Sequence, residues 1–236
     1  MNKLAVISGG SKGIGKAIVY KFASHGFDIV TCSRKIENIK PVMDVLKTKF
    51  PTGNFIGIQA DISKKEDVKR LVEEVSKTGR PADVLINNTG LFIPGQIQNE
   101  EEGVMEYLMA TNVYSAYHLT RGLLTKMIEA GKGHIFNICS TASITPYKNG
   151  GSYCISKYAL LGMTKVLREE LKQSEIKVTA VLPGATLTTS WEGINLPEER
   201  FMKAEDVADV IWSAYNLSKS AVVEEILLRP QLGDIS

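Results

Sequence analysis

Ser8-Gly9-Gly10-Ser11-Lys12-Gly13-Ile14-Gly15 joins a short apolar run, residues 4–8, to an amphipathic stretch, residues 13–24. A strand that enters a glycine-rich turn and leaves it as a helix is the opening unit of an α/β sheet protein. Gly9, Gly13 and Gly15 have a physical reason to be there. The turn must be tight and its backbone must approach a pyrophosphate closely, and a side chain obstructs both. The helix that follows offers unpaired N–H donors at its first turn. The spacing is G-x-x-x-G-x-G rather than G-x-G-x-x-G. A glycine turn alone can be structural; its place directly after the first strand is what points to a dinucleotide. Ser11, Lys12 and Ile14 lie in the same turn and are candidate cofactor contacts beside the glycines.

The rest of the chain repeats this unit. Further strands are expected at 28–32, 55–59, 84–87, 134–139, 178–182 and 223–228, with helices at 37–49, 64–77, 104–130, 153–173 and 204–217 between them. Strand–helix–strand repetition gives a parallel sheet with helices on both faces and right-handed crossovers. The expectation is an α/β single-domain Rossmann fold over residues 1–236, a doubly wound parallel seven-stranded sheet. Residues 183–203, with Pro183-Gly184, Trp191 and Pro197, are too long for a plain connection and read as a substrate lid around 185–203.

Composition narrows the function. At 236 residues, 44% hydrophobic and 23% charged, the chain is an ordinary globular protein, not a disordered or low-complexity one. Twenty-eight basic and 26 acidic residues leave +2, no electrostatic footprint for nucleic acid or an anionic membrane. No apolar run approaches a membrane span, and the N-terminal run is too short for an export signal. Cys32, Cys139 and Cys154 are odd in number and widely spaced, so a reducing, cytoplasmic location is expected. His25, His118 and His134 show no ligand spacing, and no metal is expected.

The second strand tests which dinucleotide binds. An NAD site carries an acidic residue about 20 residues past the glycines, whereas a nearby Arg accommodates a 2′-phosphate. Here the strand ends Thr31-Cys32-Ser33-Arg34-Lys35, without a carboxylate. Ser33 can hydrogen-bond a phosphate, Arg34 can pair with it, and Lys12 adds charge. The cofactor expected is NADP(H).

Tyr153 and Lys157, four apart on an expected helix, share a face. A free tyrosine has a pKa of about 10, and a nearby ammonium favours its phenolate. Ser140 ends the fifth strand, at the carboxyl edge where open α/β sheets bind ligands. Tyr-x-x-x-Lys alone is weak. Placed 13 residues after Ser140 and behind a dinucleotide turn, it is far more specific.

From Ser8 to the C-terminus the chain resembles the short-chain dehydrogenase/reductase family in its compact form. Ser8-Gly9 with Gly13 and Gly15 resembles Thr-Gly-x-x-x-Gly-x-Gly, with Ser for Thr. Asn87-Asn88-Thr89-Gly90 resembles Asn-Asn-Ala-Gly, with Thr89 a departure whose branched hydroxyl crowds a turn near the cofactor. Ser140, Tyr153 and Lys157 match the family's catalytic triad, and Asn112 falls where it carries a catalytic asparagine. The resemblance implies that Asp61 contacts adenine beside Ile62, and that Asn88 and Gly90 line the cofactor. It implies that Pro183, Gly184 and Thr188 hold the nicotinamide carboxamide, and that Tyr153 and Lys157 also touch the cofactor. It implies an NADPH-dependent reduction of a ketone to an alcohol. Tyr153 gives the proton, Ser140 steadies the oxygen, and Lys157 binds the ribose and lowers the pKa of Tyr153. Asn112 holds a water that relays protons to Lys157.

Segments 89–95, 141–152 and 187–203 are expected around the substrate, with Phe92, Tyr147 and Trp191 the candidate contacts for a flat or apolar carbonyl compound. The C-terminal third, with Glu224-Glu225-Ile226-Leu227-Leu228-Arg229-Pro230, is similar to bacterial sepiapterin reductases, which reduce a side-chain ketone on a pterin. A 3-oxoacyl-(acyl carrier protein) reductase shares the catalytic motifs. Its carrier-docking basic positions align with Gly131 and Ser174, with Lys132 and Lys172 beside them. A non-catalytic NADP-binding redox sensor needs the glycine turn but not the acid–base set. The resemblance also implies a homodimer or homotetramer paired through the helices at 104–130 and 153–173; Leu160, Leu161 and Leu167 fit such an interface and equally fit the core.

Overall fold

β1 (Leu4–Ile7) is apolar and buried along its whole length, as a strand covered on both faces must be. In the computed structural model, which describes residues 2–188 and 196–235, it sits inside a seven-stranded sheet. The others are β2 (Asp28–Ser33), β3 (Phe55–Gln59), β4 (Val84–Asn87), β5 (Gly133–Ile138), β6 (Ile176–Pro183) and β7 (Glu225–Leu228). Their order is β3-β2-β1-β4-β5-β6-β7, every pairing parallel. The winding reverses between β1 and β4. Crossovers leave on opposite faces there, and a crevice opens at the carboxyl ends of those strands.

Alternation along the strands builds two cores. Ala5 and Ile7 of β1 pack with Ile18, Val19 and Phe22 of α1 (Gly13–Ser24) and with Val207 and Ile211 of α7 (Ala204–Tyr215). Leu4 and Val6 face the other way, onto Val68 and Leu71 of α3 (Lys65–Lys77) and Leu119 and Leu123 of α5 (Ser115–Glu129). Completing the layers are α2 (Ile36–Lys49), α4 (Val104–Met109) and α6 (Gly151–Leu171). Among the described residues no helix is long and apolar enough to cross a membrane.

One sequence expectation changes here and one open choice is settled. The helix expected over 104–130 is broken: α4 runs into a π-helical turn, Ala110–Tyr114, before α5 begins. Leu160 and Leu161 are core residues, 1% and 6% exposed, and Leu167 packs on the core. They join Lys157 and Thr164 on the sheet-facing stripe at i, i+3, i+4, i+7. The exposed apolar residues of α6 are Ile155, Tyr158 and Val166 on the opposite face. As for the lid, Trp191 lies outside the described residues. The two ends of that segment pair with each other: Leu187 N–H donates to Met202 O (2.8 Å) and Met202 N–H to Ala185 O (3.0 Å).

Candidate active site

The glycine turn is built by backbone conformation. Gly9 (φ +72°) and Gly13 (φ +52°) occupy the left-handed region that side chains avoid. A β-carbon on Gly15 would overlap the Gly9 carbonyl, so only glycine lets α1 pack this close to the turn. Ser8 does more than stand in for threonine. Its hydroxyl accepts the N–H groups of Asn88 (3.0 Å) and Thr89 (3.1 Å), tying the end of β1 to the end of β4 across the crevice. The Asn88 amide donates back to Ser8 O (3.0 Å) and Gly9 O (3.2 Å).

Along this crevice runs a cavity of about 730 Å³. Gly9, Ser11, Lys12, Gly13, Ile14, Gly15, Ser33, Arg34, Asp61, Ile62, Asn88, Gly90 and Thr188 all line it. The structure therefore gathers into one elongated cleft most of the residues that sequence reasoning assigned to the cofactor. Tyr153, Lys157, Pro183 and Gly184 stand outside its lining. Gly184 instead packs on the C-terminal segment, its N–H bonded to Leu228 O at 2.8 Å. Asp61 has one carboxylate oxygen occupied by the Ser63 N–H (3.2 Å) and hydroxyl (2.7 Å). Arg34 is exposed at the end of β2, its guanidinium 3.4 Å from the Tyr107 hydroxyl. Tyr107 and Thr111 also line the cleft and were missed. They are four apart around the turn that carries Asn112, and that spacing was the available signal.

The catalytic candidates stand outside that lining. Ser140 follows β5 directly. Its hydroxyl accepts the Ala142 N–H (3.1 Å), and its own N–H donates to the Ser143 hydroxyl (3.2 Å), which fixes its orientation. Tyr153 and Lys157 lie one turn apart on α6, with the Lys157 Nζ 5.9 Å from the Tyr153 ring centroid. Nζ donates to Ile138 O at 2.9 Å. It also lies 3.2 Å from where a β-carbon on Gly90 would stand, which places the amine beside the cleft wall. Burial pulls Lys157 down to about 8, with Cys139 opposing. Burial pushes Tyr153 up to about 12, with its hydrogen bond to Ser140 opposing. Desolvation dominates, and Lys157, its Nζ turned to the Ile138 carbonyl, is not among the groups that lower the phenol here.

Asn112, in the π-helical turn, is buried and committed. Its Oδ1 accepts the Leu91 N–H (2.8 Å), while its Nδ2 donates to Leu91 O (3.0 Å) and Ser156 Oγ (2.9 Å). Both amide hydrogens are used, so a water could be held only through an oxygen. Phe92 meets Tyr153 edge to face, centroids 4.9 Å apart. Tyr147 is close enough that burial and the Tyr153 hydroxyl push its own pKa up. Cys139 and Cys154 are buried free thiols, and Cys139 is pushed up to about 11 by burial. Among the described residues no cluster of His, Cys, Asp or Glu could hold a metal.

A doubly wound sheet with this cleft, and a Tyr–Lys pair one helical turn apart beside it, defines a Rossmann-type dinucleotide-binding protein. Over residues 3–199 the chain matches the family model described as short chain dehydrogenase. The chain belongs to that family and is an oxidoreductase. It is 32% identical to a sepiapterin reductase of Chlorobaculum tepidum over 243 aligned positions, which cover 100% of this chain and 99% of the relative. Among solved structures it is similar to L-sorbose reductase from Gluconobacter frateurii complexed with NADPH and L-sorbose. The TM-score is 0.89 at 26% identity, covering 96% of this chain and 95% of that one. It is also similar to a metagenomic short-chain oxidoreductase in complex with NADP. Here the TM-score is 0.84 at 30% identity, covering 97% of each chain.

Proposed function

We propose that the chain is an NADPH-dependent carbonyl reductase acting on a flat, largely apolar ketone. The observation that carries this reading is the grouping of Ser140, Tyr153 and Lys157, with the Lys157 amine beside the Gly90 wall of the cleft. The cleft suits NADP(H): glycines form its floor, and Ser33 and Arg34 stand at the end of β2 where an NAD enzyme carries an acid. Thr89 adds a buried hydroxyl without a partner to that wall. The NADP and NADPH complexes of similar proteins support the same assignment.

Bound NADPH supplies the hydride that reaches the carbonyl carbon. Tyr153, still protonated at neutral pH, delivers a proton to the carbonyl oxygen, and the Ser140 hydroxyl hydrogen-bonds that oxygen as charge develops. Lys157 holds the nicotinamide ribose and, once engaged there, favours loss of the Tyr153 proton. Asn112 pins the 89–91 turn to α6 and, through an oxygen, holds the relay water.

Phe92 and Tyr147, exposed beside Tyr153, offer ring faces to a conjugated substrate. The segment around 185–203, whose described ends at Ala185, Leu187 and Met202 are hydrogen-bonded to each other, is the proposed substrate lid. The full-length similarity to a sepiapterin reductase supports a pterin-type ketone. Against the acyl carrier alternative, Lys132 and Lys172 are engaged in ion pairs, Lys132 with Asp83 at 2.9 Å and Lys172 with Glu169. The reading includes a reducing, cytoplasmic location and a homodimer or homotetramer. The test is NADPH oxidation against sepiapterin, vicinal diketones, an acetoacetyl thioester and aromatic ketones, with NADH as control. Activity on sepiapterin or diketones is expected. A preference for the thioester overturns the substrate class, and tight NADPH binding without turnover of any carbonyl overturns the reductase reading in favour of a sensor.

A further inference from the structure

The helix that carries Tyr153 and Lys157 begins without a cap of its own. Its first flanking residue, Gly150, has no side chain to offer, and Gly151 stands at φ +21°. A long helix that starts this way leaves first-turn N–H groups without partners. Ser152, only 3% exposed, sits in that first turn immediately before Tyr153.

The missing cap comes from another part of the chain. Glu100 Oε1 accepts the Ser152 N–H at 2.7 Å, and Oε2 accepts the Ser152 hydroxyl. The fit is close. A β-carbon on Gly151 would overlap the carboxylate, and one on Gly95 would lie 2.6 Å from Glu100 Cγ. The backbone reinforces the seam: Gly95 N–H donates to Asn149 O (3.0 Å), and the Gln96 amide donates to Asn149 Oδ1 (2.9 Å). The same segment supplies Phe92, whose ring meets that of Tyr153. Residues 92–100 therefore grip Tyr153 twice, by its ring and by the backbone one residue away.

From this geometry we infer that Glu100 is a positioning residue that holds Tyr153 at the height needed for proton transfer. A carboxylate at a helix N-terminus is stabilising in itself, so a purely structural cap is the competing explanation. The two differ in what they protect. A structural cap protects the fold as a whole. A positioning residue protects the chemical step, where a displacement of about 1 Å can cost about a hundredfold.

This inference rests on the reading that Tyr153 is the proton donor, and the experiment separates the two. Glu100→Ala, Glu100→Gln and Ser152→Ala are compared with the parent protein on any carbonyl the parent turns over. Glu100→Ala is expected to lower kcat about tenfold while the NADPH dissociation constant stays within about twofold. Glu100→Gln keeps an acceptor for the Ser152 N–H and is expected to recover kcat to within about threefold. Ser152→Ala, which keeps the backbone bond, is expected to fall between them. Amide exchange at residues 151–154 is expected to quicken in Glu100→Ala, a readout that needs no turnover.

An unchanged kcat in Glu100→Ala overturns the inference. So does a kcat loss matched by equal losses in NADPH affinity and thermal midpoint, a Gln variant no better than Ala, or unaltered exchange at 151–154. If the parent protein reduces no carbonyl, the reductase reading falls, and the exchange measurement alone decides whether Glu100 sets the start of α6.

Discussion

Tyr153 is the side chain whose loss should be felt most in turnover and least in binding. Its hydroxyl is hydrogen-bonded to Ser140 but stands outside the lining of the cofactor cleft. Tyr153→Phe is expected to lower kcat by about a hundredfold or more with NADPH affinity close to normal. Steady-state rates and fluorescence titration of NADPH check this, and a variant retaining most of its activity removes the proposed proton donor. Arg34 makes a converse prediction. Arg34→Ala should raise the KM for NADPH about tenfold or more and leave that for NADH nearly unchanged, because only the 2′-phosphate needs the guanidinium. Equal effects on both cofactors would remove Arg34 from phosphate recognition. Thr89 is a question of stability. Its hydroxyl is buried without a partner and pressed towards Gly9, where a β-carbon would stand 2.6 Å from Oγ1. Thr89→Val keeps the shape and removes the orphaned hydroxyl, so the protein without added cofactor should gain about 1 kcal/mol. A urea midpoint shifted upward at constant slope is the expected result; a downward shift means the hydroxyl has a partner.

At the scale of elements, the paired segments α4–α5 and α6 show most plainly what a linear pattern hides. The run 104–130 reads as one helix because a π turn inserts a residue without disturbing the apolar rhythm on either side. That insertion puts Asn112 where it can grip Leu91 and Ser156 at once. Apolar residues on α6 could equally face core or solvent when read as letters. Packing against the sheet assigned Leu160 and Leu161 to the core and left Tyr158 (44% exposed) and Val166 (56%) outside. Tyr114 and Tyr117 are likewise exposed on the neighbouring turn and α5, and the proposed self-association would draw on these side chains. Tyr158→Glu combined with Val166→Glu should shift the sedimentation profile to a smaller species, while Leu160→Ala should cost roughly 2–5 kcal/mol of stability as a core cavity. Unaltered sedimentation in the double variant moves the interface elsewhere.

For the molecule as a whole, buried titratable groups set how stability follows pH. His134, 2% exposed, is pulled from its usual 6.5 to about 3 by burial, with Lys177 adding to the effect. Between those values the unfolded chain binds a proton that the folded one refuses, so stability is lost as pH falls below about 6.5. Lys157, lowered from 10.5 to about 8, acts in the same sense at higher pH: its contribution is full above 10.5 and lost as pH falls to 8. Tyr153, raised from 10 to about 12, opposes it, with stability lost as pH rises from 10 towards 12. Without added cofactor, the thermal midpoint should therefore rise between pH 8 and 10. Each group contributes at most about 1.4 kcal/mol per pH unit. Lys157→Met should flatten the alkaline rise and His134→Gln the acid loss; parallel curves for parent and variants would assign both slopes to other groups.

Much of this protein is legible in the order of its residues. The glycine turn after β1, the alternation of strands and helices, Ser140 at a strand end and the one-turn spacing of Tyr153 and Lys157 all depend on neighbours along the chain. Their geometry follows from φ/ψ limits and from the 3.6-residue period of the helix. Tertiary structure alone decided which apolar face of α6 is core and that Glu100 reaches Ser152. It also decided that burial holds Tyr153 near 12 rather than nearer neutrality. These depend on segments tens of residues apart meeting and excluding water between them. Desolvation and close contact of that kind belong to the packed state, because no single stretch of sequence contains both partners.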